Sequence, residues 1–284
     1  MIGPRPASPR DVKFTRRRFL GGAGGLAVMG APFSSLAPPD AGSAISLPTP
    51  LDNLLALIRI QASLREEDVP WWYSGVIYGA EDGKAPRLLF GFEGMEMYWM
   101  RHLAAGEFEL VGHTVSFLKD AESGEWLGEW RNPYTGETLE APAAVQGGGA
   151  GRGFNYSEKG IRPTPFIEQM PEKPPAYRVL SGGGQVWLSK ETEYPPGMAP
   201  PRLQRQTMSC PLDAFNNPAI ERLSTQFAST VFMPWRAWMR MDGRPGHLIW
   251  HAAGLKLDSV ESLPPSYRER LETEHPDKLT ARPG

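Results

Sequence analysis

Apolar residues at positions 51, 54, 55, 58 and 62 recur at three- and four-residue spacing, which predicts one amphipathic helix over 51–65 with Thr49 or Asp52 as its cap. Beyond Pro70 the pattern changes to short aromatic and β-branched runs separated by turn chemistry such as Glu81-Asp82-Gly83, Glu122-Ser123-Gly124 and Ser181-Gly182-Gly183-Gly184. These runs predict strands at 71–79, 86–101, 108–118, 125–131, 137–141, 177–181, 185–194, 202–210, 227–241 and 247–257. Strands that follow one another through hairpin turns make an antiparallel meander. With this many in sequence, the expected fold is mainly β: an antiparallel β-barrel, lipocalin-like, or a strongly bent sheet, since closure removes exposed edges.

Two stretches break the pattern. Residues 141–176 hold Gly147-Gly148-Gly149, Gly151, Gly153 and a Pro-rich tail, and are expected to form a long excursion over one end of the barrel. Residues 195–201 form a second Pro-rich loop, 216–224 suit a short helix, and a terminal helix is expected from Pro264.

The N-terminus carries an address. Thr15-Arg16-Arg17-Arg18-Phe19-Leu20 precedes a Gly- and Ala-rich apolar run, the pattern of a twin-arginine signal, a route that carries folded proteins. Gly21, Gly22, Gly24, Gly25, Gly30 and Pro32 break that run too often for a membrane span, so no stable span is expected after cleavage. Pro38 disfavours cutting behind Ala37, which moves the expected site to Gly42-Ser43-Ala44 and leaves 45–284 as a single mature β domain outside the cytoplasm.

Residues 1–44 hold six basic and two acidic residues, so their removal takes the formal charge from −2 to −6. An acidic, mixed surface argues against nucleic acid as a partner, because phosphate binding needs a positive face. Cys210 is the only cysteine, so the chain has no internal disulfide and lacks the ligands for cysteine-held metals or c-type haem. No Gly-x-Ser-x-Gly elbow, His-Glu-x-x-His pair or phosphate-binding glycine loop in a strand–helix context occurs. The expected chemistry therefore uses no organic cofactor and no metal.

Four runs, Trp71-Trp72-Tyr73-Ser74-Gly75, Gly91-Phe92-Glu93-Gly94-Met95, Trp126-Leu127-Gly128-Glu129-Trp130-Arg131-Asn132-Pro133-Tyr134 and Ile249-Trp250-His251-Ala252-Ala253-Gly254, resemble the bacterial and fungal family labelled domain of unknown function eighteen thirty-eight. The likeness covers nearly the whole mature chain. It implies domain limits and, since many members begin with a twin-arginine leader, export. It supplies no catalytic residues.

The residues themselves offer two kinds of chemistry. Alternation places His113 with Val111, Val115 and Phe117 on one strand face, and His251 with His247 and Ile249 on another. Together with Glu93 these are the candidate acid–base residues, set against the plainer alternative of a core histidine satisfied by a backbone carbonyl. Four residues of strand span roughly 13 Å, so His247 and His251 do not share a metal ion without a bulge. The nine tryptophans supply the second kind: Trp99, Trp130, Trp235 and Trp238 with Arg101 and Arg236 are candidate ligand-binding residues, against the alternative of plain core packing. If Trp126 and Trp130 point inward, Glu129 and Arg131 are solvated.

These features define an exported barrel that binds a hydrophobic small molecule, terpenoid, steroid or aromatic, and transforms it by proton transfer as an isomerase or lyase. A non-catalytic carrier and a surface carbohydrate-binding module are the alternatives. The translocation machinery is the expected protein partner. The double change Arg16→Lys, Arg17→Lys is expected to leave the protein in the cytoplasm on cell fractionation, and normal delivery of that variant would refute the export assignment.

Overall fold

Thr49 caps the predicted helix with a reciprocal box: its hydroxyl accepts from the Asp52 amide at 3.1 Å while the Asp52 carboxylate accepts from the Thr49 amide at 3.1 Å. The helix, α1 (Pro50–Gln61), begins with proline at its first turn, where no amide partner is lost. It is the first sizeable element of a computed structural model that describes residues 43–44, 49–104, 106–147, 153–164, 177–194 and 202–282. The leader and the Pro-rich loops at 165–176 and 195–201 lie outside the described residues.

Around α1 runs one large antiparallel sheet. Its strands are β1 (Ser43–Ala44), β2 (Asp68–Ala80), β3 (Arg87–Ala104), β4 (Glu107–Asp120), β7 (Ala144–Gly147), β8 (Gly153–Ser157), β9 (Gly160–Thr164), β10 (Tyr177–Gly182), β11 (Gln185–Tyr194), β12 (Arg202–Pro211), β13 (Gln226–Met233) and β14 (His247–Lys256). A separate small hairpin joins β5 (Glu129–Arg131) to β6 (Thr138–Glu140). The hydrogen-bonded order is β1-β10-β11-β12-β13-β14-β2-β3-β4-β8-β9, with β7 also on β4. Among the described residues no pairing joins the two ends of that path.

The sheet is nevertheless strongly curled. On a flat sheet β12 and β8 would stand six strand spacings apart, about 29 Å at roughly 4.8 Å each. Both touch α1, whose width with side chains is only about 10 Å. Leu54, Leu57, Ile58 and Ile60 of the helix are almost wholly buried on the enclosed face, against the cluster that includes Trp71, Tyr73, Phe92, Leu188 and Met208. The opposite face is covered over β3 and β4 by the C-terminal helix α3 (Pro265–Glu274), which sets Tyr267 and Leu271 on Met95, Met97, Val115 and Phe117. Tyr267 donates its hydroxyl proton to the Val115 carbonyl at 2.8 Å.

Four sequence expectations are corrected by the fold. The strand predicted over 227–241 stops at Met233, because Pro234 has no amide to donate to the ladder; Trp235 and Trp238 lie instead on an excursion with a single 3₁₀ turn at Ala237–Met239. The excursion at 141–176 contains three described strands, β7 to β9. Gly153 admits the second of these: a Cβ there would lie 2.2 Å from the Leu110 carbonyl oxygen. The short helix expected at 216–224 is α2 (Leu212–Asn216), placed directly after β12. Finally, the strand predicted over 125–131 is the short β5, Glu129–Arg131, paired with β6 apart from the large sheet.

Two cations lock α1 in place. Arg59, buried at 8% exposure, donates to the carbonyls of Ala214, Phe215, Asn217 and Ile220 at 2.6–3.1 Å and so pins the segment after β12. From β14, the Lys256 ammonium donates to the Arg59 and Ala62 carbonyls at 2.9 and 2.8 Å, at the end of the helix where carbonyls lack partners and the dipole is negative. Replacing Arg59 by Leu removes its bonds to all four carbonyls, of which Ala214 and Asn217 keep a main-chain donor, and is expected to cost about 2–5 kcal/mol in urea unfolding, with Arg59→Lys recovering only part of it. A loss below about 1 kcal/mol would show that solvent or rearrangement satisfies those carbonyls.

Candidate functional site

Strand alternation gives the curled sheet an enclosed face and an outer face, and the enclosed face is not uniformly apolar. On β2 and β4, Tyr73 and Ser116 share a hydroxyl hydrogen bond of 2.7 Å. On β3 the Tyr98 hydroxyl donates to the Glu96 carboxylate at 2.6 Å. Two glycines make room for these rings. A Cβ on Gly94 would lie 2.4 Å from the Tyr73 ring, and one on Gly112 would lie 2.6 Å from the Tyr98 ring. Glycine in mid-strand thus marks close approach of an aromatic side chain rather than a weak strand.

Lys190 of β11 faces the same space. On a flat sheet β11 and β3 are five spacings apart, about 24 Å, yet the charge of Glu96 acts on Lys190. Curling therefore brings the β11–β12 wall opposite the β3–β4 wall. Lys190 makes no hydrogen bond or ion pair with the described residues. Its row across the sheet continues through Gln206, Ser229, Ala252, Gly75 and Phe92 to Leu118, and the next row runs Gln204, Val231, Trp250, Ile77, Phe90.

At the Phe90 side of these rows lies a compact pocket of about 50 Å³ walled by Ile77, Phe90, Leu118, Trp238 and Trp250, with Arg236 at its margin. Trp130 packs on Phe90 and Trp238 with ring centroids 4.8 and 5.5 Å away. The Trp250 indole N–H is buried without an acceptor among the described residues, and the ring stands 5.0 Å from Phe92.

Burial governs the electrostatics. It lowers the Lys190 pKa towards the neutral amine, with Glu96 opposing. It raises that of Tyr73 well above the ordinary phenol value, and the Glu96 charge adds to this, so the Tyr73 hydroxyl keeps its proton at neutral pH. The enclosed face thus offers a carboxylate held by a tyrosine, a second tyrosine that stays protonated, and an amine disposed to exchange protons. Such a set of groups can move a proton to and from a bound molecule.

The residues singled out from sequence divide between the faces. His113 is buried on the outer face beneath the C-terminal segment, and its Nε2 meets the Lys278 carbonyl at 2.8 Å; a carbonyl only accepts, so Nε2 carries the proton. It is the carbonyl-satisfied core histidine. Glu93, also outward, pairs with Lys119 at 2.8 Å, with its second oxygen buried and unpartnered among the described residues. His251 is exposed, its Nδ1 3.0 Å from the Thr230 hydroxyl. Trp99 is buried, and Arg101 is exposed in a pair with Glu109. Trp235 packs on Tyr134 at 5.4 Å. Of these residues Trp238 and Arg236 line the enclosed pocket, and Trp130 packs on two of its walls, Phe90 and Trp238. Trp130 is buried while Glu129 and Arg131 are exposed, as alternation requires.

Sequence reasoning passed over Tyr73, Glu96, Tyr98, Ser116 and Lys190. The available signal was the run Phe92-Gly94-Glu96-Tyr98 on one face of a single strand, where polar groups and a glycine replace the expected apolar side chains.

Fold and site together define a mainly β protein built on one large antiparallel sheet with few helices. The chain belongs to the family described as Protein of unknown function (DUF1838), which matches residues 66–145 and 204–283. Tyr73, Glu96, Tyr98, Ser116, Arg236, Trp238 and Trp250 fall within the matched segments, and Lys190 between them. A search of curated proteins finds no match.

Burial also holds the His113 ring below its ordinary pKa, so the folded state favours the neutral form. The unfolded chain therefore takes up a proton first as pH falls below about 6.5, and stability decreases with acidification in that window while staying flat above it. His113→Gln keeps a donor for the Lys278 carbonyl but cannot titrate. Urea midpoints compared at pH of about 7 and about 5.5 are expected to fall more for the native chain than for the variant; equal falls would show that His113 is not responsible.

Proposed function

We propose that this chain binds a small molecule with an apolar body and a polar end on the enclosed face of its sheet, and transforms it by proton transfer without an organic cofactor. The observation that carries this is Lys190: an ammonium without a hydrogen-bonding partner among the described residues, coupled to Glu96 across the curl and one row from the pocket of Phe90, Trp238 and Trp250. The apolar walls take the body of the ligand, while Lys190 and the Glu96–Tyr98 pair meet its polar end. A pocket of about 50 Å³ is smaller than the roughly 150 Å³ that holds a benzene ring, so a single aromatic ring enters only if the tryptophans shift, and a steroid would require far more. In this proposal the curled sheet works as a lipocalin-like barrel, and the protein acts outside the cytoplasm after folded export through its twin-arginine leader.

Proton transfer needs a group that releases a proton and one that receives it near the operating pH. In this proposal Lys190, whose pKa burial lowers, is the group that releases the proton, and the Glu96 carboxylate, oriented by the Tyr98 hydroxyl, is the group that receives it. Tyr73 supplies a hydrogen bond that does not titrate away. His113 and Glu93 take no part, since both face outward and both are engaged by main-chain or lysine partners. A carrier would share the pocket but not depend on the protonation of Lys190 or Glu96.

Saturable quenching of tryptophan fluorescence by 4-nitrobenzoate, a single aromatic ring with an anionic end, reports the binding half of this proposal. Trp238→Ala is expected to weaken it by about 1–3 kcal/mol through lost apolar contact. Solvent-deuterium incorporation beside the carbonyl of aryl ketones, read by mass spectrometry, reports the chemical half. Incorporation lost in Lys190→Met and Glu96→Gln, with probe binding kept in Glu96→Gln, is the expected outcome. Binding without incorporation in any ketone would leave a carrier, and no binding at all would refute the enclosed site.

A further inference from the structure

The outer face carries a second concavity that the enclosed site does not use. Where α3 leaves the sheet uncovered, β12, β13, β14 and β2 form an open groove of about 470 Å³. Its floor is small by sequence. Thr207, Ala228, Ala253 and Ser74 lie side by side in one row of the register, and Arg205, Thr230 and His251 in the next. Along the same face the strands rise to large side chains: Phe232 follows Thr230, and Leu255 follows Ala253, exposed at 38% and 39%. A trough of alanines between two apolar ridges admits a thin ligand body lying across the strands.

The polar groups of this groove are of one kind. Arg205 is exposed and makes no hydrogen bond or ion pair with the described residues, and no carboxylate lines the groove. The neighbouring acids in its rows are Glu191, beside Arg205 on β11, and Glu93, which Lys119 already holds. Thr207 and Thr230 place hydroxyls on either side of the alanine floor. His251 rests its Nδ1 against the Thr230 hydroxyl and its ring edge-to-face on Tyr78, with centroids 6.0 Å apart, which leaves Nε2 without a hydrogen-bonding partner among the described residues. When the threonine donates to Nδ1, Nε2 carries the proton and becomes a donor towards the groove. Arginine and His251 stand two strand spacings apart, about 10 Å, with Thr230 between them. An oxyanion between these donors gains charge-assisted hydrogen bonds, and a flat body attached to it covers the alanines.

We propose that this groove is a second binding site, for a small organic anion whose carboxylate or phosphate is held by the Arg205 guanidinium and the Nε2–H of His251 and whose apolar body rests on Ala228 and Ala253. It is independent of the enclosed site, because its side chains project from the opposite face of the same strands. Calorimetric titration of the full chain with phenyl phosphate, benzoate and neutral benzyl alcohol tests it. Saturable binding of either anion, without binding of the alcohol, is expected; the anion that binds more tightly tells phosphate from carboxylate recognition. Arg205→Ala and Ala253→Leu, the second filling the trough, are each expected to weaken that binding at least about ten-fold, while Trp238→Ala leaves it unchanged. Both substituted positions are exposed, and thermal melts matching the native chain confirm that the variants fold. Failure of both anions to saturate at concentrations on the order of millimolar overturns the proposal, as does indifference to Ala253→Leu, or loss of binding in Trp238→Ala, which would assign the anion to the enclosed face instead.

Discussion

The structure depends on the fit of one short helix inside one curled sheet. An isolated helix the length of α1 is marginal in water, so its stability comes from packing. The sheet in turn needs something to fold around, since its enclosed face would otherwise stand open. Lys256 and Arg59 join the two: the lysine reaches from β14 to the last carbonyls of the helix, and the arginine reaches from the helix to the segment that follows β12. Both ions sit where their donors are matched by carbonyls, which is the condition under which buried cations are tolerated.

Curling also decides what the enclosed face can do. Residues far apart in strand order, such as Lys190 and Glu96, come within electrostatic reach of one another only because the sheet bends back on itself. Gly94 and Gly112 leave space for the rings of Tyr73 and Tyr98, and those rings carry hydroxyls to Ser116 and Glu96. A wall built this way is polar without being wet, since each hydroxyl finds a partner on its own wall. Lys190 is the member of the set without a hydrogen-bonding partner among the described residues.

Opposite faces of the same strands carry different assignments. Over β3 and β4 the outer face is closed by α3, whose Tyr267 and Leu271 turn it into a second core that takes in Phe117 and Met97. Beyond that cover the face is open and floored with alanine. His113 and His251, similar as members of alternating strands, fall on either side of this division. One is sealed under the C-terminal segment and bonded to a main-chain carbonyl; the other is exposed beside a threonine.

Sequence alone determined the elements. The apolar spacing of residues 51–62, the alternation of β2, β3, β4, β11, β12 and β14, and the glycine turns between them are local properties, set by helical and strand periodicity and by backbone conformation. Local rules failed where composition misled: Pro234 cut a strand that its aromatic residues would have extended, and Gly-rich residues after 141 hid three strands whose partners lie elsewhere in the chain. The family likeness was likewise legible from the tryptophan- and glycine-bearing runs. Which face of each strand is enclosed was not, because alternation distinguishes two faces without saying which one turns inward. That choice rests on where α1 and α3 dock, a matter of contacts between residues distant in the chain, such as Arg59 with Ile220 and His113 with Lys278, 161 and 165 positions apart. For the same reason the convergence of Tyr73, Glu96, Tyr98, Ser116 and Lys190 was decided only by the tertiary structure: they stand on four strands, and the curl that brings them together belongs to the whole sheet.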